Sequence, residues 1–186
     1  MNALLSFSEV SRRGLERVAL VSGWLLVVMA AVTCFDVLAR KAGIPAPLTK
    51  LQELEWHFHA ALFSLWMGYG YTINAHPRVD SFTEKLPFRR KAWLELLGCV
   101  IFALPYCALV AYHSIDFVAQ SYALAEQSDS TVGLRYRWAI KGIYAFGLWL
   151  VVLGILSVLA RVIVFLFGDR RPEEVDLQIG HTEADV

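Results

Sequence analysis

Charge is scarce in this sequence: 18% of its 186 residues are Asp, Glu, Lys or Arg, against about a quarter in an ordinary soluble domain. So thin a supply excludes a water-soluble globule, whose surface must be dressed in charge. What charge there is cancels, with 17 Lys and Arg against 17 Asp and Glu. No global field of either sign therefore points to nucleic acid or another polyanion. Cysteine is equally sparse. Cys34, Cys99 and Cys107 are the three present, each inside an apolar run and none in C-x-x-C spacing, so they read as small buried hydrophobes rather than a metal or redox site. Internal repeats and Walker, Rossmann or kinase signatures are missing. Gly68-Tyr69-Gly70-Tyr71 and Thr131-Val132-Gly133 share letters with a potassium filter, but neither is a full T-V-G-Y-G. They read as small residues for helix packing and as a loop turn.

What is abundant is apolar surface, at 57% of residues. The polar residues are gathered into short blocks between long uncharged runs, as a bilayer sorts a sequence. The expectation is an all-α integral membrane domain over residues 1–168 with four transmembrane helices, spanning about 18–38, 50–74, 92–117 and 138–167. The first run, Val18 to Phe35, follows Arg12, Arg13 and Arg17. It is longer than a signal-peptide core of about 7–15 residues, which favours a retained helix over the rival twin-arginine signal. The second has an amphipathic, interfacial entrance, Lys50 to His59, behind Pro45 and Pro47. Thr49 and Gln52 have the form of a capping box there. Pro105 predicts a kink in the third. Residues 169–186, with six acidic residues and two arginines, read as a disordered cytoplasmic tail.

With the N-terminus inside, the inner segments carry eleven Lys and Arg and the outer segments six. Four spans then place both termini in the cytoplasm. The densest inner cluster, Arg89-Arg90-Lys91, suits anionic lipid headgroups.

This orientation puts Asp36, Glu53, Glu55, His57, His59, His113 and Asp116 at one depth near the outer surface. Ionisable groups in a membrane mark an ion path, a proton relay or a docking surface. The competing reading is that all lie near helix ends, reaching headgroups or pairing with Arg40, Lys41 and Lys50. A haem held by His57 or His59 and His113 would fit an electron-transfer anchor. Only His76 lies near the inner face to complete a second pair, and His57 and His59 point to different sides of a helix. Glu95 and Arg161 share a depth on the inner side and are expected to form a helix–helix ion pair. Nothing resembles a nucleophile, a paired-carboxylate site or a metal cluster, so the reading is neither an enzyme nor a cofactor carrier. Trp56, Trp93 and Trp138 sit at helix entrances, as an aromatic belt places them.

The stretch Leu51-Gln52-Glu53-Leu54-Glu55-Trp56, the aromatic and glycine-bearing helix after it, and His76-Pro77-Arg78-Val79-Asp80 at its far end resemble the small membrane subunit of tripartite ATP-independent periplasmic (TRAP) transporters. Pro77 departs from the Ile or Val usual between His and Arg in that pattern. The resemblance rests on about thirty residues and the four-span layout. It implies a bacterial inner-membrane, sodium-coupled uptake system for organic acids with a periplasmic substrate-binding protein and a large multi-span membrane subunit. The small subunit would then be a fixed scaffold, with no part of its own in the chemistry. His76, Arg78 and Asp80 are expected to cap the second helix and hold the middle loop. Glu53, Glu55, His57, Asp116 and the loop from Ala119 to Arg137 are expected to help dock the binding protein. Two other classes stand beside this one: a haem b-bearing membrane anchor and a self-sufficient small transporter that oligomerises.

Overall fold

The computed structural model describes residues 1–75, 83, 86–168 and 170–179. Within them the chain is helical, with four long helices and no strand. The first helix, Asn2–Ala42, has 41 residues and a length of ~62 Å, about twice the thickness of a hydrocarbon core. It ends on Gly43, whose φ of 66° is left-handed, with the Gly43 N–H returned to the Ala39 carbonyl. The second is Leu48–Thr72, the third Phe88–Ala123 and the fourth Arg137–Phe167.

The first, third and fourth are long and apolar enough to cross a membrane. The second is not, by that measure: its entrance carries Lys50, Glu53 and Glu55, and the uncharged remainder is short. Its start also differs from expectation. Pro47 stands at the N-cap with no side-chain capping bond, so the Thr49–Gln52 capping box does not form. The turn is closed instead by Lys50 and Leu51 N–H groups on the Pro47 carbonyl, at 2.9 and 3.1 Å.

Pro105 is absorbed locally. Cys99–Ala103 widens into a π-turn and the Leu104 N–H reaches back to the Cys99 carbonyl. The i→i+5 pattern makes room for a ring that cannot fit a regular turn.

The fourth helix is the centre of the bundle. Of its most apolar 18-residue window 67% is buried, against 11% for the first and for the third. Its closest seam is with the second helix and is built from small residues. A Cβ on Gly147 would stand 2.6 Å from Ser64, and one on Gly154 2.5 Å from the Gly68 carbonyl. One on Gly68 would collide with the Leu150 carbonyl. Ser64 and Gly68 are one turn apart and Gly147 and Gly154 two, so each helix offers a flat stripe on which backbones meet.

The first helix joins this pair through Ser8, Ser11, Leu15, Ala19 and Ser22, all buried. Their intervals of three and four residues place them on one face. Its folded contacts thus begin well before residue 18, where the apolar run starts. Beyond Ser22 most of its large apolar side chains are exposed, among them Trp24 at 72%.

After the fourth helix the tail expected to be disordered is packed as far as residue 179. Val175, Leu177 and Ile179 are buried with Ala92, Val158, Val162, Val164 and Leu166. Alternate apolar residues among the acids give the segment one inward face, and full burial of such side chains is worth ~1.5–3 kcal/mol apiece.

Candidate functional site

Two polar constellations lie at opposite ends of the bundle. At one end Glu53, on the first turns of the second helix, turns its carboxylate into the loop between the third and fourth helices. Oε1 accepts the Ser128 hydroxyl in a short hydrogen bond and Oε2 accepts the Leu134 N–H at 2.5 Å. Gly133 makes room for it: a Cβ there would sit 2.5 Å from Glu53 Oε1. The loop is also bonded to itself. Ser128 N–H donates to the Leu134 carbonyl at 3.0 Å, Gly133 N–H to Ser130 at 3.1 Å, and Arg137 N–H to Glu126 at 3.1 Å. Ser130 N–H donates to Ser128 Oγ at 3.1 Å.

Glu126 ties the loop to the fourth helix. Lys141 Nζ lies 2.5 Å from its Oε2 and over the Phe117 ring at 3.9 Å. Arg137 stands between Glu126 at 3.8 Å and Asp129 at 3.7 Å. The Lys141 hydrogen bond, above all, holds the Glu126 carboxyl below its ordinary range.

Of the other expected outer residues, His57 joins Glu53: its Nδ1 lies 2.5 Å from the Glu53 carbonyl, to which an Nδ1–H donates. The His57 ring also stacks on Trp56 at 3.9 Å. Asp36 is 6% exposed and accepts Arg40 Nε at 2.8 Å. Its Oδ1 and Glu55 Oε1 are buried without a partner among the described residues. His59 is exposed and borders an apolar groove with Leu26 and Trp66. His113 and Asp116 are exposed on the third helix. Trp93 packs edge-on against Phe167 at 5.6 Å and Trp138 against Tyr122 at 5.4 Å.

At the opposite end, beside the start of the first helix and the segment after the fourth, Arg161 is 5% exposed. Its Nε donates to Ser8 Oγ at 2.8 Å and its Nη1 to the Asp176 carbonyl at 2.7 Å. Ser8 and Ser157 hydroxyls share a hydrogen bond of 3.0 Å. The expected Glu95–Arg161 pair is replaced by these contacts. The longer first helix brings Ser8 to Arg161 and the folded tail brings Asp176, while Glu95 accepts the Tyr71 hydroxyl at 3.0 Å. Of the expected headgroup anchors Arg89 and Arg90 are exposed, but Lys91 is 4% exposed and faces the protein. His76, Arg78 and Asp80 lie outside the described residues.

Sequence reasoning missed Ser8 and Asp176, and it placed Ser128 and Gly133 in the expected docking loop without giving either a role of its own. Ser8 belongs to a stripe of small residues that no hydrophobicity window registers, although its spacing is visible. Ser128 and Gly133 lie in a loop whose partner is 75 or more residues away, and nothing local announces it.

A bundle with one buried apolar helix and two largely uncovered ones belongs to the membrane proteins. Within that class the family model for the DctQ component of tripartite ATP-independent periplasmic transporters matches residues 29–165, and the chain belongs to that family. No curated protein and no solved structure matches it. The family is the small membrane component of a three-part transporter, working with a large membrane subunit and a binding protein.

Proposed function

We propose that the chain is the scaffold subunit of a sodium-coupled uptake transporter for organic acids, without a catalytic or cofactor role of its own. It anchors the large membrane subunit and helps dock the periplasmic binding protein. In this reading it resides in a bacterial inner membrane with four spans and both termini cytoplasmic, as the eleven-to-six distribution of Lys and Arg supports. The second helix then crosses beside its neighbours rather than as a free-standing span, its polar entrance at the outer surface.

The observation that carries the reading is the contrast in burial: 67% for the fourth helix's apolar window and 11% for the first and third. The apolar windows of two helices are left to be covered, and a large membrane partner does so while holding them still. Arg89 and Arg90 add headgroup contacts at the inner surface. His76, Arg78 and Asp80 are assigned to holding the middle loop. Asp116 and the outer loop face the periplasm and the binding protein.

The test is purification of the tagged chain in mild detergent. Stoichiometric recovery of a large multi-span subunit, with no Soret band in the visible spectrum, is the expected result. A monodisperse haem protein would support the electron-transfer anchor, and a homo-oligomer active by itself the self-sufficient transporter. Either result would replace the proposal.

A further inference from the structure

Glu53 looks, from its place at the outer surface, like a residue that meets the binding protein. Its atoms are otherwise engaged. Both carboxylate oxygens are taken from inside, by the Ser128 hydroxyl and the Leu134 N–H, and its carbonyl lies against His57. The space it occupies exists because residue 133 has no Cβ. What this carboxylate holds in place is the outer loop, whose tip carries Asp129 with a 97% exposed side chain, Val132 at 60% and Tyr136 at 67%. Tyr136 is held at a φ of 66°, a conformation that costs a bulky residue energy and persists only where surrounding bonds enforce it.

We propose that Glu53 is a positioning residue: its carboxylate preorganises the loop, and the loop tip at Asp129, Val132 and Tyr136 is the surface that docks the periplasmic binding protein. This rests on the transporter reading above. The occupant is a folded protein because the tip pairs an aromatic and an aliphatic side chain with a charge on a frame already hydrogen-bonded. Such a frame loses little conformational freedom on binding and suits a rigid surface better than a small solute does. The direct alternative, in which Glu53 contacts the binding protein, would require the carboxylate to abandon two donors, the Ser128 hydroxyl and the half-buried Leu134 N–H.

The test uses this chain assembled with its large subunit in nanodiscs and the cognate binding protein as probe. Glu53→Gln leaves one acceptor where two donors point, and Gly133→Ala fills the same space from the loop side. Each is expected to raise amide exchange across residues 128–134 about tenfold or more, with a comparable weakening of binding-protein affinity. The double variant is expected to be no worse than either single one, since both remove one arrangement. Val132→Asp and Tyr136→Asn, the latter a residue that tolerates positive φ, are expected to weaken binding with exchange unchanged. Three results overturn the proposal. They are loss of binding in Glu53→Gln with unaltered exchange, a loosened loop with unaltered binding, and tip variants that bind like wild type. A wild-type assembly that captures no binding protein removes the transporter reading itself, whatever the exchange data show.

Discussion

Arg161 shows how a cation is tolerated deep in this bundle. Its guanidinium donates to a serine hydroxyl and a backbone carbonyl rather than to a carboxylate. Asp176 Oδ2 stands 3.8 Å away with its side chain 57% exposed, so the carboxylate is a weak, solvent-screened partner. Arg161→Leu is accordingly expected to cost roughly 3 kcal/mol through two lost charge-assisted bonds. Asp176→Asn, which keeps the carbonyl, is expected to cost less than about 1 kcal/mol. Thermal unfolding of both variants in one detergent checks the difference. The pairing of Arg161 with Glu95 expected from depth alone failed because depth along a helix does not fix azimuth. Glu95 was turned toward Tyr71, and the true partners came from segments read as span-free or disordered.

Glu126 gives a pH prediction with a definite sign. Its carboxyl is held below the ordinary range in the folded chain by Lys141. The unfolded state therefore takes up the proton first as pH falls. The loop's attachment to the fourth helix is fully present above the ordinary carboxylate range and is lost as pH falls through the lowered value. Trp138 fluorescence in Glu126→Gln should be flat over the acid interval where wild type changes.

At the scale of elements, packing is set by what is small. Gly68→Ala drives a methyl group into the Leu150 carbonyl of the neighbouring backbone, which a packed seam relieves only by moving apart. A loss of about 1–3 kcal/mol is expected. Gly70, two residues on, has nothing within 4 Å of a Cβ, so Gly70→Ala is expected to be neutral or stabilising by up to about 1 kcal/mol. Melting temperatures of the two variants against wild type decide the matter, and equal effects would contradict the seam.

The helices themselves were largely legible. Apolar runs located all four, and Arg137–Phe167 and Leu48–Thr72 fall within two residues of the expected ends. Less legible were stretches whose fold depends on other elements. The sixteen residues from Asn2 to Arg17 are polar enough to look like a leader, yet Ser8, Ser11 and Leu15 lie on one face. The tail's Val175, Leu177 and Ile179 were masked by the acids between them. In the outer site Glu53 was found by residue type, but its inward direction was not, because Ser128, Gly133 and Leu134 come to it through the tertiary fold.

Taken as a molecule, the chain is lopsided. Its fourth helix is saturated with neighbours, while the first and third present long apolar faces to whatever surrounds them. A complete transport machine would enclose a path between its helices. Here the closest approach, between the second and fourth, is backbone on backbone. Both ends are locked, one by Glu53 and its loop and the other by Arg161 and the tail, which suits a part that must stay still while another moves. The measurement that tests this most directly is substrate uptake into sodium-loaded gradients of proteoliposomes, reconstituted with this chain alone, with the large subunit added, and with the binding protein added as well. Sodium-dependent uptake is expected only when all three are present. Uptake by this chain alone, or undiminished uptake when it is left out, would contradict it.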